Sequence, residues 1–216
     1  MTTIKICGIK DAPILRLLDQ LSVDYAGFVF APSKRQVTPQ QVQELLAKVE
    51  SHPKLVGVFV NPSHQELKET LSLVPLDAVQ LHGEETVDFI HELKAYYTGQ
   101  IWKAIRVVEK QQVLQLIERY RQHVDAFLID AYHPAHAGGT GERFSWSEIP
   151  FIHERMGETP CLIAGGINLS NIDELLTKYG ATQIDLSSGV ETDGRKDPIK
   201  IRALVERVRE YETYDE

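Results

Sequence analysis

Apolar residues recur along this chain in two rhythms. Short runs rich in β-branched and aromatic residues read as strands: Thr3–Cys7, Tyr25–Phe30, Leu55–Val60, Ala78–Leu81, Ile101–Ile105, Ala126–Asp130, Cys161–Ala164 and Gln183–Leu186. Between them, apolar positions fall at helical spacing. Examples are Ile14, Leu17, Leu18 and Leu21, then Val42, Leu45, Leu46 and Val49, and near the end Ile201, Leu204, Val205 and Val208. Shorter versions of the pattern occur at Leu67 and Leu71, Phe89, Ile90 and Leu93, Val113, Leu116 and Ile117, and Ile172, Leu175 and Leu176. The Thr38-Pro39 pair supplies a helix N-cap with proline in the first turn.

Strands that alternate with helices imply parallel βα units joined by right-handed crossovers. Eight units in 216 residues favour one closed (βα)8 barrel spanning residues 1–216. An open doubly wound sheet more often has about five to seven strands and opens with a GxGxxG turn, which does not follow the first strand here. A barrel places its chemistry at the C-terminal strand ends, in the βα loops.

Composition narrows the function more than the fold. The formal net charge is -8, from 31 acidic and 23 basic side chains, which argues against nonspecific nucleic-acid binding. There is no apolar run of about 18 residues and no signal-peptide core, so a cytoplasmic protein without membrane partners is expected. Two cysteines, Cys7 and Cys161, make no disulfide scaffold and no CxxC motif. Among the eight histidines there is no HExxH; His133 and His136, in a Gly-rich stretch with a proline between them, read as loop residues rather than metal ligands.

Strand alternation then selects candidates. In the first strand Ile4 and Ile6 share the face toward the helices, which turns Lys5 and Cys7 inward. In the sixth, Leu128 and Asp130 point inward, and Phe127 and Ile129 outward. Cys7 and Asp130 therefore converge at the top of the barrel as a thiol and a carboxyl, a possible base and acid. The plainer alternatives are a packed cysteine and a loop-capping aspartate. Arg35, after the second strand, either grips a carboxylate or is a surface charge. His82, after the fourth, either orients substrate or makes a structural hydrogen bond. Cys161 begins the seventh strand at the opposite end and reads as packing.

The last two strands end in AGGIN and DLSSGVE, which bring Gly165, Gly166, Ser187, Ser188 and Gly189 into adjacent loops. Small residues there let a phosphate approach backbone N–H groups. The segment from Ala131 to Phe144, with Gly138, Gly139, Thr140 and Gly141, reads as a long βα loop that covers or lines the site.

Taken together, KICGIK, GFVFAPSKR, VGVFVN, VQLHGEE, the strand ending in Asp130 followed by GGTGERFSW, AGGIN, and DLSSGVE with GRKD resemble the phosphoribosylanthranilate isomerases of tryptophan biosynthesis, in order from about Lys5 to Asp197. The resemblance implies a monomeric or dimeric (βα)8 barrel that catalyses an Amadori rearrangement of N-(5-phosphoribosyl)anthranilate to 1-(2-carboxyphenylamino)-1-deoxyribulose 5-phosphate, without metal or organic cofactor. It puts the general base on Cys7, the general acid on Asp130, the anthranilate carboxylate on Arg35 and a pocket histidine at His82. Phosphate contacts fall around Gly139 and Gly141, Gly165 and Gly166, and Ser187, Ser188 and Gly189, with Asp185 in a secondary acidic role. The chemistry asks for an acid of raised pKa and a thiol of lowered pKa, the latter favoured by Lys5 and the phosphate site. One departure is local: Lys10 and the turn Asp11-Ala12-Pro13 alter the rim beside Cys7. Rival barrels fit less well. The histidine-pathway isomerase is expected to carry a carboxylate at Cys7 and a second phosphate site. Indole-glycerol-phosphate synthase needs further lysine and glutamate groups at strand ends, and a metal-dependent epimerase needs more inward ligands than His82. A barrel retaining only a binding role would be expected to have lost Cys7 or Asp130.

Overall fold

A computed structural model describes residues 1–106, 110–130 and 146–214. Eight parallel strands close into a barrel in sequence order, with β8 returning to β1. They are β1 (Thr3–Cys7), β2 (Tyr25–Val29), β3 (Lys54–Phe59), β4 (Ala78–Leu81), β5 (Gln100–Arg106), β6 (Ala126–Asp130), β7 (Cys161–Ala164) and β8 (Gln183–Leu186). Around them lie α1 (Ala12–Gln20), α2 (Pro39–Leu46), α3 (His64–Leu73), α4 (Val87–Lys94), α5 (Lys110–Tyr120), α6 (Ile149–Met156), α7 (Ile172–Thr177) and α8 (Pro198–Tyr214). A small antiparallel hairpin, β9 (Glu191–Thr192) with β10 (Arg195–Lys196), is inserted between β8 and α8. No helix among the described residues is long and apolar enough to cross a membrane.

Local chemistry starts the helices where the chain proposes them. Thr38 accepts from the Gln41 amide at 3.2 Å while Gln41 Oε1 accepts from the Thr38 amide at 2.9 Å, a reciprocal capping box. Ser63 and Glu66 repeat it at α3. The departure at Asp11-Ala12-Pro13 is itself a helix start, with Asp11 Oδ1 accepting from Ile14 N at 3.0 Å and proline in the first turn.

The two faces of each strand are buried differently. Ile4, Ile6, Phe28, Leu55, Phe127 and Ile129 pack outward against the helices. Val56, Ala78, Trp102, Ala104, Ala126, Leu128, Leu162 and Ala164 fill the barrel interior. Trp102 and Tyr25 meet edge to face at 4.8 Å across this interior layer. Cys161 is buried in the outer core, which agrees with its packing role, and burial pushes its thiol pKa far up.

At the bottom of the barrel an aspartate precedes each of three even-numbered strands. Asp24, Asp77 and Asp125 accept the backbone N–H of Ile4, Leu55 and Ile101 at 2.8, 2.7 and 2.7 Å. Their own amides return a hydrogen bond to the carbonyls of the same three residues. β1 is thereby clamped to β2, β3 to β4 and β5 to β6. Thr182 stands at the corresponding place before β8.

Candidate active site

Strand register fixes which side chains meet at the top. Cys7 pairs with Gly27, Lys5 with Asp185, and Asp130 with both Arg106 and Ala164. A cavity of about 390 Å³ opens at this end. Ten of the proposed site residues line it: Cys7, Arg35, His82, Asp130, Gly165, Gly166, Asp185, Ser187, Ser188 and Gly189. Gly139 and Gly141 lie outside the described residues, as do His133 and His136.

Cys7 is 8% exposed, and the space for its sulfur is made by its neighbour across the sheet. A Cβ on Gly27 would stand 3.0 Å from Cys7 Sγ. Burial raises the thiol pKa; Lys5 and Lys196 pull it down, while Asp185 pushes it further up. The expectation of a lowered thiol pKa is therefore not met. Lys5 does face Cys7, but its charge is already balanced by Asp185 at 2.9 Å. Burial works against the Lys5 ammonium, yet Asp185 and Cys7 outweigh it and hold the pKa above the usual lysine value.

Asp130 is exposed at the mouth of the cavity, with its carboxyl partly desolvated by the surrounding protein atoms. This desolvation, with Asp185 nearby, raises its carboxyl pKa, while Arg106 acts in the opposite direction. His82 is driven the other way, to about 4, by burial and then by Arg106, Lys5 and Lys103. It is a neutral imidazole near pH 7. Gln80 Nε2 lies 3.2 Å from His82 Nδ1, an arrangement in which the amide donates and leaves the imidazole N–H at Nε2. Gln80 is 1% exposed, and its Oε1 has no hydrogen-bond partner among the described residues.

The turn carrying His82 is supported from below. Glu85 accepts from the amides of Asn61 and Gly83, and the buried Lys103 ammonium donates to Glu85 at 2.8 Å and to the Gly83 carbonyl at 2.6 Å. Charge and backbone groups under this turn are mutually satisfied.

The two glycine loops are built for close approach. Gly165 and Gly166 have φ of 98° and 66°, a left-handed backbone that favours glycine. The Gly166 carbonyl is held by the side-chain amides of Asn168 and Asn171. Gly189 lies against the Ile167 carbonyl so closely that no Cβ fits, and Ser188–Val190 forms a single 3-10 turn.

Arg35 is engaged more fully than its sequence position suggests. Its Nε and Nη2 donate to the two carboxylate oxygens of Glu191, each at 2.7 Å. Lys196 Nζ meets the same carboxylate at 2.6 Å and donates to the Ser187 carbonyl at 2.9 Å. The hydrogen bonds from Arg35, followed by those from Lys196, bring the Glu191 pKa down to about 2.

Gln80, Arg106, Glu191 and Lys196 were not foreseen. The first two had a signal: alternation from Ala78 puts Gln80 inward, and alternation from Trp102 and Ala104 does the same for Arg106 once β5 is extended past Ile105. Glu191 and Lys196 sit on a two-residue-strand hairpin that has no periodicity to read.

The family model for N-(5'-phosphoribosyl)anthranilate isomerase matches residues 4–207. The chain belongs to this family. An N-(5'-phosphoribosyl)anthranilate isomerase of Brevibacillus brevis is 50% identical over 214 residues, covering 99% of this chain and 96% of the relative. The phosphoribosyl anthranilate isomerase of Thermotoga maritima superposes with a TM-score of 0.81 at 30% identity, over 97% of this chain and 99% of that one. A phosphoribosyl anthranilate isomerase in complex with reduced 1-(o-carboxyphenylamino)-1-deoxyribulose 5-phosphate gives a TM-score of 0.80 at 27% identity, over 97% and 99% of the two chains. The protein is an isomerase of tryptophan biosynthesis on a (βα)8 barrel, as its family membership and closed sheet establish.

Proposed function

We propose that this protein converts N-(5-phosphoribosyl)anthranilate to 1-(2-carboxyphenylamino)-1-deoxyribulose 5-phosphate, with Asp130 as general acid and Cys7 as general base. The observation that carries the reading is the order of groups around one cavity. Cys7 on β1 stands between the glycine loops after β7 and β8 on one side and a carboxylate-type receptor, Arg35, after β2 on the other. A sugar phosphate held in the glycine loops and an aryl carboxylate directed to Arg35 bring the sugar between thiol and carboxyl. Val29, Pro32, Val58 and Val60 give the aryl ring an apolar wall.

Asp130, protonated, donates to the furanose ring oxygen. The C1–O bond breaks and the nitrogen lone pair forms the Schiff-base cation. Cys7 as thiolate removes the C2 proton, and the electron pair left behind neutralises the iminium as an enolamine. Tautomerisation gives the ketone, so C2 is oxidised as C1 is reduced, within one molecule. Neutral His82 serves as a hydrogen-bond donor rather than a charge. The cation formed in the first step lies beside Cys7 and supplies attraction for its thiolate.

The test is turnover of phosphoribosylanthranilate, followed by the loss of its fluorescence. The native chain is expected to consume it. Cys7→Ser and Asp130→Asn are each expected to lower kcat by roughly 10²- to 10⁴-fold. Near-native kcat in both variants would overturn the assignment of roles, and no turnover by the folded native chain would overturn the reaction.

A further inference from the structure

Arg35 faces the cavity with one of its two bidentate edges already used. A guanidinium offers carboxylates two bidentate edges, one formed by Nε and Nη2 and the other by the two Nη groups. Glu191 occupies the first edge. The second is the edge left for a ligand, and a planar carboxylate must meet it end-on and in plane.

This orientation is built rather than incidental. The arginine stem crosses Gly8, whose φ is 89° and where a Cβ would lie 2.5 Å from Arg35 Cδ. Glu191, 8% exposed, grips the head of the side chain, and Glu191 is in turn fixed by Lys196, 3% exposed. Lys196 also balances the charge: one carboxylate between two cations leaves the cluster net positive, so Arg35 is anchored without losing its attraction for an anion.

We propose that Glu191 and Lys196, on the β9–β10 hairpin, are a positioning pair that aims the free edge of Arg35, and that they make the ligand's aryl carboxylate the group by which this site selects what it binds. The inference rests on the proposed substrate. It adds that recognition depends on two residues that need not touch the substrate at all. Through the Lys196 bond to the Ser187 carbonyl, the same pair ties the carboxylate end of the cavity to a phosphate-side loop.

The experiment compares two ligands by calorimetry: reduced 1-(o-carboxyphenylamino)-1-deoxyribulose 5-phosphate, and the same compound without the ring carboxyl. The native chain is expected to prefer the first. Glu191→Gln is expected to weaken it about tenfold while changing the second by less than about twofold, because only the carboxylate contact depends on the aim of Arg35. In an Arg35→Met background, Glu191→Gln is expected to have no further effect on either ligand. Glu191→Asp, which keeps the charge but withdraws it by one methylene, reads the same selectivity should the Gln variant fold poorly. The inference is overturned if both ligands weaken equally, if neither weakens, if the loss persists without Arg35, or if the native chain shows no preference. Failure of the native chain to turn over phosphoribosylanthranilate would fall on the proposed reaction, because the binding comparison requires no turnover.

Discussion

Burial shifts the pKa values of Cys7 and Asp130 in the same direction, upward, with opposite consequences for their proposed roles. The shift favours the protonated form of both groups, which suits Asp130 as an acid and works against Cys7 as a base. The working pair is carboxylic acid plus thiolate, so kcat/KM is expected to trace a bell against pH with one limb belonging to each group. In Asp130→Asn the limb that belongs to the carboxyl should disappear, leaving a rate that climbs with pH as the thiol ionises; an unchanged bell in that variant would contradict the assignment. Alkylation of Cys7 by iodoacetamide should likewise be slow near neutrality and accelerate only at alkaline pH. The positions of these two groups were legible because alternation along β1 and β6 is unbroken. Their ionisation was not, because it depends on Asp185 and Arg106, which reach the site from β8 and β5.

The elements themselves were legible to within a residue or so. Each strand is a short apolar run and the Thr38 cap is read directly, whereas Asp11, read as part of a turn, and Ser63, not singled out, are N-caps as well. The ends that moved did so for pairing reasons: Arg106 extends β5 because it pairs with Asp130, and Lys54 extends β3 because it pairs with Tyr25. The three aspartate clamps had no visible signature, since an aspartate before a strand also reads as an ordinary turn residue. Asp125→Ala removes the acceptor for the Ile101 amide and is expected to cost about 1–2 kcal/mol in a denaturant titration, with kcat retained because the clamp is at the opposite end from the cavity. On the loops, Gly189→Ala is expected to weaken phosphate-ester binding strongly, because its Cβ would drive the β8 loop off the Ile167 carbonyl. Unchanged inhibition by ribose 5-phosphate in that variant would show that this loop does not hold the phosphate.

For the whole molecule, stability should fall on acidification in two stages. His82 titrates near 4 in the folded state, below its ordinary value, so the unfolded chain takes up this proton first and stability declines as pH drops from about 6.5 toward 4. Glu191, brought down to about 2, contributes stability that is complete above its ordinary pKa of 4.5 and is lost as pH falls toward 2. Urea midpoints measured across this range should show His82→Asn flattening the upper stage and Glu191→Gln the lower. The ion pair between Lys5 and Asp185 acts on a different scale. It joins the first strand to the last across 180 positions of sequence, and both side chains sit where water is excluded. Removing either partner alone would leave the other charge buried and unpaired, a state that burial disfavours strongly. The seam at which the sheet meets itself is thereby locked by charge as well as by backbone pairing.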